Sequence, residues 1–164
     1  MKVLVTGPES SGKSTLARGL AWALDGYYVE EQARRYLHEL ARDYRVHDLP
    51  CILQQQLAAE RRGLESGASY LICDTGPEVI DIWSRVRYGI PCPDLQAAEA
   101  NAAYDLTLLC APDLPWRYDV LREHPDPTAR QELFQRYRNR LPHATVISGS
   151  DRIGQALAAI CRHQ

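Results

Sequence analysis

Residues 7–14 read GPESSGKS, and Thr15 follows them. This stretch matches G-x-x-x-x-G-K-[ST], the phosphate-binding loop of nucleoside-triphosphate enzymes. Its two glycines let the backbone curl, so that successive N–H groups point at phosphate oxygens. Lys13 brings a positive charge to the β- and γ-phosphates, and the Ser14 hydroxyl is the expected Mg²⁺ ligand. The sequence therefore predicts ATP and Mg²⁺ as ligands. The loop residues predicted to hold ATP are Gly7, Glu9, Ser10, Ser11, Gly12, Lys13, Ser14 and Thr15.

The residues on either side of this loop agree with that prediction. A phosphate loop should follow a buried strand and begin a helix. An apolar run of strand length, residues 2–6, precedes the loop, and Leu16, Leu20 and Ala23 follow it at helical spacing. The alternative is a Gly/Ser turn between two core elements, and this context argues against it.

The composition is that of an ordinary globular chain. With 164 residues, of which 45% are hydrophobic, the chain can bury one good core but hardly two. We therefore expect residues 1–164 to form a single domain. The net charge of -2 gives no general footprint for nucleic acid. A local basic groove stays open as an alternative, because arginine supplies nearly all of the positive charge.

The cysteine pattern and the hydropathy predict a cytoplasmic protein without a membrane partner. The five cysteines are scattered and form no C-x-x-C pair, which favours reduced thiols over a zinc site or disulfides. No signal-peptide pattern precedes the first strand, and no apolar run approaches the length of a membrane span. The oligomeric state is left open by the sequence.

Strands and helices are predicted to alternate along the chain. This alternation predicts an α/β fold in three layers, with a five-stranded parallel sheet and helices on both faces. Ligands bind such sheets beyond the carboxyl ends of the strands. The later strands are predicted at residues 27–29, 69–73, 104–110 and 144–148. The later helices are predicted at residues 30–43, 48–64, 78–88, 95–103, 129–140 and 151–161.

Two acidic positions at the predicted ligand edge are candidates for catalysis. Glu31 follows the second strand, and Arg34 lies three residues later on the same helix face. A carboxylate beside the phosphate loop can accept a proton from a substrate hydroxyl. Asp74 ends the third strand, where it could hold Mg²⁺ or contact the substrate. The alternatives are a solvated helix start for Glu31 and a turn or helix cap for Asp74.

A proline-rich connection, residues 111–128, is predicted to be a mobile lid of roughly 112–130. A lid that closes over ATP excludes water and brings arginine to the developing phosphoryl charge. Arg117 is predicted to bind the nucleotide and Arg122 to act in catalysis. Trp116 could stack on an aromatic base, whereas Trp83 lies on a helical stripe typical of a core residue. The predicted substrate-binding residues are Glu31, Arg34, Asp74, Trp116 and Asp119.

Taken together, these motifs resemble the NadR-type ribosylnicotinamide kinases and the NadR-like phosphate-loop ATPases. The resemblance begins at the phosphate loop and continues through Glu31-x-Ala33-Arg34-x-Tyr36. It includes Asp74-Thr75, with Trp83-Ser84 and Tyr88-Gly89 downstream. It ends in the lid, at residues 104–106, 112–116 and 119–122, which read YDL, PDLPW and DVLR.

The resemblance implies phosphoryl transfer from ATP to the 5′-hydroxyl of nicotinamide riboside, which yields nicotinamide mononucleotide for NAD biosynthesis. Lys13 and Ser14 would serve ATP and Mg²⁺, Glu31 or Asp74 would engage the substrate, and Arg122 would be a lid arginine. The partner is then a small-molecule nucleoside. A kinase for polynucleotide 5′-ends and a nucleotide-dependent switch remain as alternatives, and the residues do not say which carboxylate is the base.

Overall fold

A parallel sheet of five strands forms the centre of this computed structural model. The strands are β1 (Lys2–Thr6), β2 (Tyr27–Val29), β3 (Leu71–Asp74), β4 (Leu106–Cys110) and β5 (Thr145–Ile147). Their order across the sheet is β2-β3-β1-β4-β5, and every neighbouring pair is parallel. The structure describes residues 1–40, 42–92, 95, 98, 102–119, 122 and 125–163.

Helices cover both faces of this sheet. One face packs on α1 (Lys13–Ala23) and α6 (Arg152–Arg162), where Val3 and Val5 of β1 meet Leu20 and Ile160. The other face packs on the remaining helices, and Leu4 of β1 points to that side. The three-layer α/β fold predicted from the sequence is therefore confirmed. The helices on this second side are α2 (Gln32–Glu39), α3 (Asp48–Glu65), α4 (Pro77–Tyr88) and α5 (Pro127–Arg140).

The helix predicted at residues 30–43 ends earlier than expected. It stops at Glu39, and residues 42–47 form a loop before α3. The buried carboxylate of Asp48 accepts two hydrogen bonds from the Arg42 guanidinium, at 2.8 and 2.9 Å, and one from the Arg45 N–H, at 2.7 Å. Because the Asp48 carboxylate accepts these hydrogen bonds, the N–H groups of the loop do not need helical partners. The chain is therefore held in a turn that the local sequence did not indicate.

Other predicted boundaries also differ, those of the last three strands by one or two residues. Leu95 and Ala98 are helical, but residues 102 and 103 are not, and the rest of the helix predicted at 95–103 lies outside the described residues. Helix α5 begins at Pro127 because the Asp126 carboxylate accepts hydrogen bonds from the N–H groups of Thr128 and Ala129. Among the described residues, the irregular part of the predicted lid is therefore residues 112–119, 122, 125 and 126, hereafter the lid segment.

The cysteines and the helices bear on disulfides and membrane spans. All five cysteines are free, with Cys73, Cys92 and Cys110 buried and Cys51 and Cys161 exposed. In the part of the chain that the structure describes, every helix is too short or too polar to cross a membrane.

Candidate active site

The phosphate loop connects β1 to α1 and has the curled backbone that its sequence predicts. Gly7 has a φ of 143°, and a Cβ there would lie 2.6 Å from the Cys110 carbonyl oxygen, so no larger residue fits. Gly12 has a φ of 78° at the N-cap of α1, and Ser10 is also left-handed, with a φ of 58°. The helix that follows directs its positive N-terminal end at the same point. This arrangement forms an anion-binding cradle.

Arg152, at the start of α6, holds the phosphate loop through hydrogen bonds to backbone carbonyls. Its guanidinium is buried and donates to the carbonyls of Ser11, at 2.8 Å, and Ala111, at 3.1 Å. It also pairs with the carboxylate of Asp113, and its Nε donates to the Gly149 carbonyl at 3.1 Å. One side chain thus ties the phosphate loop to the ends of β4 and β5. No sequence motif indicated this role, because the contacts join distant segments.

A cavity of about 300 Å³ opens from the phosphate loop. Its lining includes Lys13 and Ser14 of the phosphate loop, and it also includes Tyr44, Trp83 and Arg87. The predicted residues that line this cavity are Gly7, Glu9, Ser10, Gly12, Lys13, Ser14, Thr15, Glu31, Arg34 and Arg122.

Of the two carboxylates predicted to act in catalysis, Glu31 is the one that lines the cavity. It lies directly after β2, at the N-cap of α2, and is only 9% exposed. Burial raises the pKa of Glu31, and the nearby charge of Lys13 partly offsets this effect. A carboxylate with a raised pKa is a better proton acceptor than an exposed one. The neighbouring Glu30 is exposed and pairs with Arg18 at 3.5 Å.

Asp74 lies at the end of β3 and is almost fully buried. Its Oδ2 accepts a hydrogen bond from the Tyr28 hydroxyl at 3.0 Å. Its Oδ1 is buried and has no hydrogen-bond partner among the described residues. An unpaired carboxylate oxygen beside a phosphate loop fits a Mg²⁺ ion, which prefers oxygen ligands and bound water. The described residues hold no cluster of three or more acidic, histidine or cysteine ligands, so phosphates and water would complete such a site.

The lid segment touches both the phosphate loop and α2. The Arg117 N–H donates to the Ser10 hydroxyl at 3.0 Å, and Arg122 donates to the Arg117 carbonyl. Asp119 forms an ion pair with Arg34 at 2.8 Å. The ring of Trp116 packs edge-on against Tyr118, with 6.2 Å between centroids. These contacts bring the predicted lid residues to the predicted site.

Not every predicted residue contacts the cavity. Ser11 and Asp74 are buried beside it, and Asp119 reaches it through Arg34. Arg117 is exposed, contributes its backbone N–H to the phosphate loop, and is not among the described residues that line the cavity. Trp116 is not among the described residues that line it.

One part of the cavity wall, formed by Tyr44, Trp83 and Arg87, was not predicted from the sequence. The rings of Tyr44 and Trp83 lie 6.1 Å apart, and the Arg87 guanidinium lies 4.2 Å from the Tyr44 ring centroid. The interpretation of Trp83 as a core residue is incomplete, since it packs on the core and also lines the cavity. Tyr44 lies in the 42–47 loop, and tertiary contacts bring it there: those of Asp48 with the loop and the hydrogen bond from the Tyr88 hydroxyl to the Tyr44 carbonyl.

Comparisons with known proteins agree with this geometry. A family model described as AAA domain matches residues 2–147. A crystal structure of NadR protein in complex with NR has a TM-score of 0.82 at 20% identity, over 99% of this chain and 50% of that chain. A structure of NadR protein in complex with NAD and AMP-PNP has a TM-score of 0.78 at 22% identity, over 99% of this chain and 49% of that chain. A crystal structure of thymidylate kinase from Ehrlichia chaffeensis has a TM-score of 0.67 at 16% identity, over 99% of this chain and 97% of that chain.

These findings confirm the NadR resemblance at the level of the fold. The chain spans about half the length of the two NadR structures. No curated protein matches the sequence at a significant level. The family model covers most of the chain, from β1 through β5, and includes the phosphate loop. The chain therefore belongs to the AAA domain family, with the fold of the phosphate-loop kinases.

Proposed function

We propose that this protein is an ATP-dependent kinase that phosphorylates the 5′-hydroxyl of a nucleoside, with nicotinamide riboside as the acceptor. The observation that carries the proposal is the shape of the cavity. Its lining combines a phosphate cradle, a buried carboxylate and two aromatic rings. Its volume of about 300 Å³ is in the range of small-molecule sites. The reaction would convert ATP and the nucleoside into ADP and the nucleoside monophosphate.

The donor end of the cavity has the groups that ATP requires. The backbone N–H groups of the loop and the charge of Lys13 hold the β- and γ-phosphates. Ser14 and Asp74 are the residues that would hold Mg²⁺, because Ser14 is a hydroxyl in the first turn of α1 at the phosphate loop and Asp74 has the unpaired oxygen. The bound ion would neutralise charge on the phosphate oxygens during transfer. Asp74 is thereby assigned to the metal and not to the proton.

Glu31 is the proposed base of the reaction. It lines the cavity, whereas Asp74 is not among the described lining residues and already accepts a hydrogen bond from Tyr28. As the 5′-oxygen attacks the γ-phosphorus, the bond from phosphorus to the leaving oxygen of ADP breaks. Glu31 accepts the proton of the hydroxyl in this step.

The lid segment closes the site around the transferring group. Arg122 lines the cavity and is the proposed arginine for the phosphoryl charge. The ion pair between Asp119 and Arg34 joins the lid segment to α2 beside the acceptor. In this proposal residues 1–164 act as one kinase unit, and lid closure excludes water from the reaction.

The acceptor end favours a flat ring with a ribose. Tyr44 and Trp83 offer aromatic faces, and Leu37, Val79 and Val86 add apolar surface. Asp43 also lines the cavity and would supply a negative charge for a positively charged pyridinium ring, beside the positive charges of Arg42 and Arg87. The similar structure of NadR protein in complex with NR supports the same class of acceptor.

A nucleoside panel tests this proposal. The protein is incubated with ATP, Mg²⁺ and one nucleoside at a time, and each product is identified by mass spectrometry. We expect nicotinamide mononucleotide to form selectively from nicotinamide riboside. Phosphorylation of another nucleoside would retain the mechanism and replace the acceptor. ATP consumption without any phosphorylated nucleoside would contradict the proposal, and 5′-hydroxyl oligonucleotides would then be assayed.

A further inference from the structure

Gln56 is a buried glutamine in the middle of α3 whose side chain contacts two distant segments. It is only 3% exposed, and both ends of its amide form hydrogen bonds. Its Oε1 accepts from the backbone N–H of Gln32 at 3.0 Å, and its Nε2 donates to the Thr75 carbonyl at 3.2 Å. These backbone groups belong to the residues that directly follow Glu31 and Asp74, the two carboxylates of the candidate site.

We propose that Gln56 is a positioning residue for phosphoryl transfer: it fixes the first N–H of α2, directly after Glu31, and it holds the turn directly after Asp74. The backbone that carries both carboxylates is thereby held in place. The inference rests on the proposed function for the roles of these two carboxylates. Gln56 itself does not line the cavity among the described residues, so it acts through its neighbours.

The first part of the argument concerns the start of α2. The first N–H groups of a helix have no acceptor within the helix, and an N-cap side chain normally supplies one. Asp126 and Asp151, the N-cap residues of α5 and α6, both use their carboxylates in this way. Glu31 is the N-cap of α2, but its side chain makes no such hydrogen bond. Gln56 accepts from a different donor, the Gln32 N–H at the first position of α2, so it fixes the backbone directly after Glu31 while Glu31 itself lines the cavity.

The second part concerns the turn at Thr75. Its φ of 68° lies in the left-handed region, which is strained for a β-branched residue. Such a conformation persists only where the surroundings hold it. The Thr75 N–H donates to the Val5 carbonyl at 3.0 Å, and its own carbonyl accepts from Gln56. Gln56 therefore helps to fix the turn that carries the chain away from Asp74.

Gln56→Met tests the proposal, because methionine has a similar size and shape but cannot make either hydrogen bond. We expect kcat for nucleoside phosphorylation to fall about 100-fold, as expected for a small displacement of a reacting group. Binding of a non-hydrolysable ATP analogue should stay within about twofold, because the phosphate loop is untouched. A crystal structure of the variant should show the Glu31 carboxylate turned back to accept from an N–H of α2.

Two further variants separate positioning from general destabilisation. Leu53→Val removes a methylene from a fully buried side chain on the same helix, so it lowers stability without touching Gln32 or Thr75. We expect its kcat to match that of the unmodified protein. Gln56→Glu keeps the acceptor toward Gln32 and loses the donor toward Thr75, so its kcat should lie between the two. It also serves as the test if Gln56→Met fails to fold.

Some results would overturn the inference. It is wrong if Glu31 keeps its place in the variant structure, or if kcat falls no further than in Leu53→Val. Should the unmodified protein phosphorylate no nucleoside, the proposed function fails, but the inference is still decided by the position of Glu31. The two failures are therefore distinguishable.

Discussion

Glu30 and Glu31 are adjacent carboxylates with opposite surroundings. The side chain of Glu30 is 59% exposed and pairs with Arg18, whereas Glu31 is buried and faces the cavity. The sequence could not separate them, since the same residue type occurs twice after the same strand. Only the direction of each side chain assigns a function, and that direction depends on how α2 packs.

We predict that Glu31→Gln lowers kcat by about 10²- to 10⁴-fold, because the amide cannot accept the hydroxyl proton. The KM for ATP should change little, since the cradle is intact. Glu30→Gln is the matched control, with the same chemical change one residue away and unchanged kinetics. Steady-state rates of nucleoside phosphorylation measure both. Equal rates in Glu31→Gln and the unmodified protein would remove Glu31 from the mechanism.

At the scale of elements, the loop at residues 42–47 shapes the acceptor end of the cavity. Asp48 holds it through Arg42 and the Arg45 N–H, and it also accepts from the Tyr36 hydroxyl at 2.9 Å. The hydrogen bonds from Arg42 hold the pKa of Asp48 well below its usual range. The Tyr88 hydroxyl donates to the Tyr44 carbonyl at 2.9 Å, which fixes the other side of the loop.

Asp48→Asn should loosen this loop without altering the phosphate cradle. We expect the free energy of unfolding to fall by about 1–3 kcal/mol, because buried hydrogen bonds to a charged group are lost. The KM for the nucleoside should rise by more than the KM for ATP. Glu39→Gln removes an exposed ion pair with Arg35 and should cost less than about 0.5 kcal/mol. Chemical denaturation and steady-state kinetics provide the two measurements. A parallel rise in both KM values would contradict the assigned role of the loop.

At the scale of the whole molecule, the free energy of unfolding depends on pH, because burying a charged carboxylate is unfavourable. Glu78, at the start of α4, is 4% exposed. Burial raises its pKa from the ordinary value of 4.5 to about 7. Between these values the folded chain keeps the proton while the unfolded chain loses it. The folded state then binds more protons, so the stability contributed by this group falls as pH rises through this window.

Glu78→Gln should remove this pH dependence. We expect the variant to gain stability relative to the unmodified protein as pH rises from about 4.5 to 8, by about 3 kcal/mol on an order-of-magnitude scale. Denaturant unfolding at several pH values measures the difference. Glu65→Gln, at the exposed end of α3, is the control and should leave the pH profile unchanged. Identical profiles for Glu78→Gln and the unmodified protein would show that Glu78 does not titrate in this window.

The sequence by itself determined the fold class, the phosphate loop and the carboxylates after β2 and β3. Each of these depends on local order along the chain: apolar runs, helical spacing and a contiguous motif.

The tertiary structure alone decided which of Glu30 and Glu31 is buried, where Asp74 directs its free oxygen, and that Tyr44 joins Trp83 at the cavity. It also decided the contacts of Gln56 and Arg152. These features depend on contacts between residues far apart in sequence, such as Gln56 with Gln32 and Thr75. A single buried amide in such a position leaves no repeating pattern in the chain.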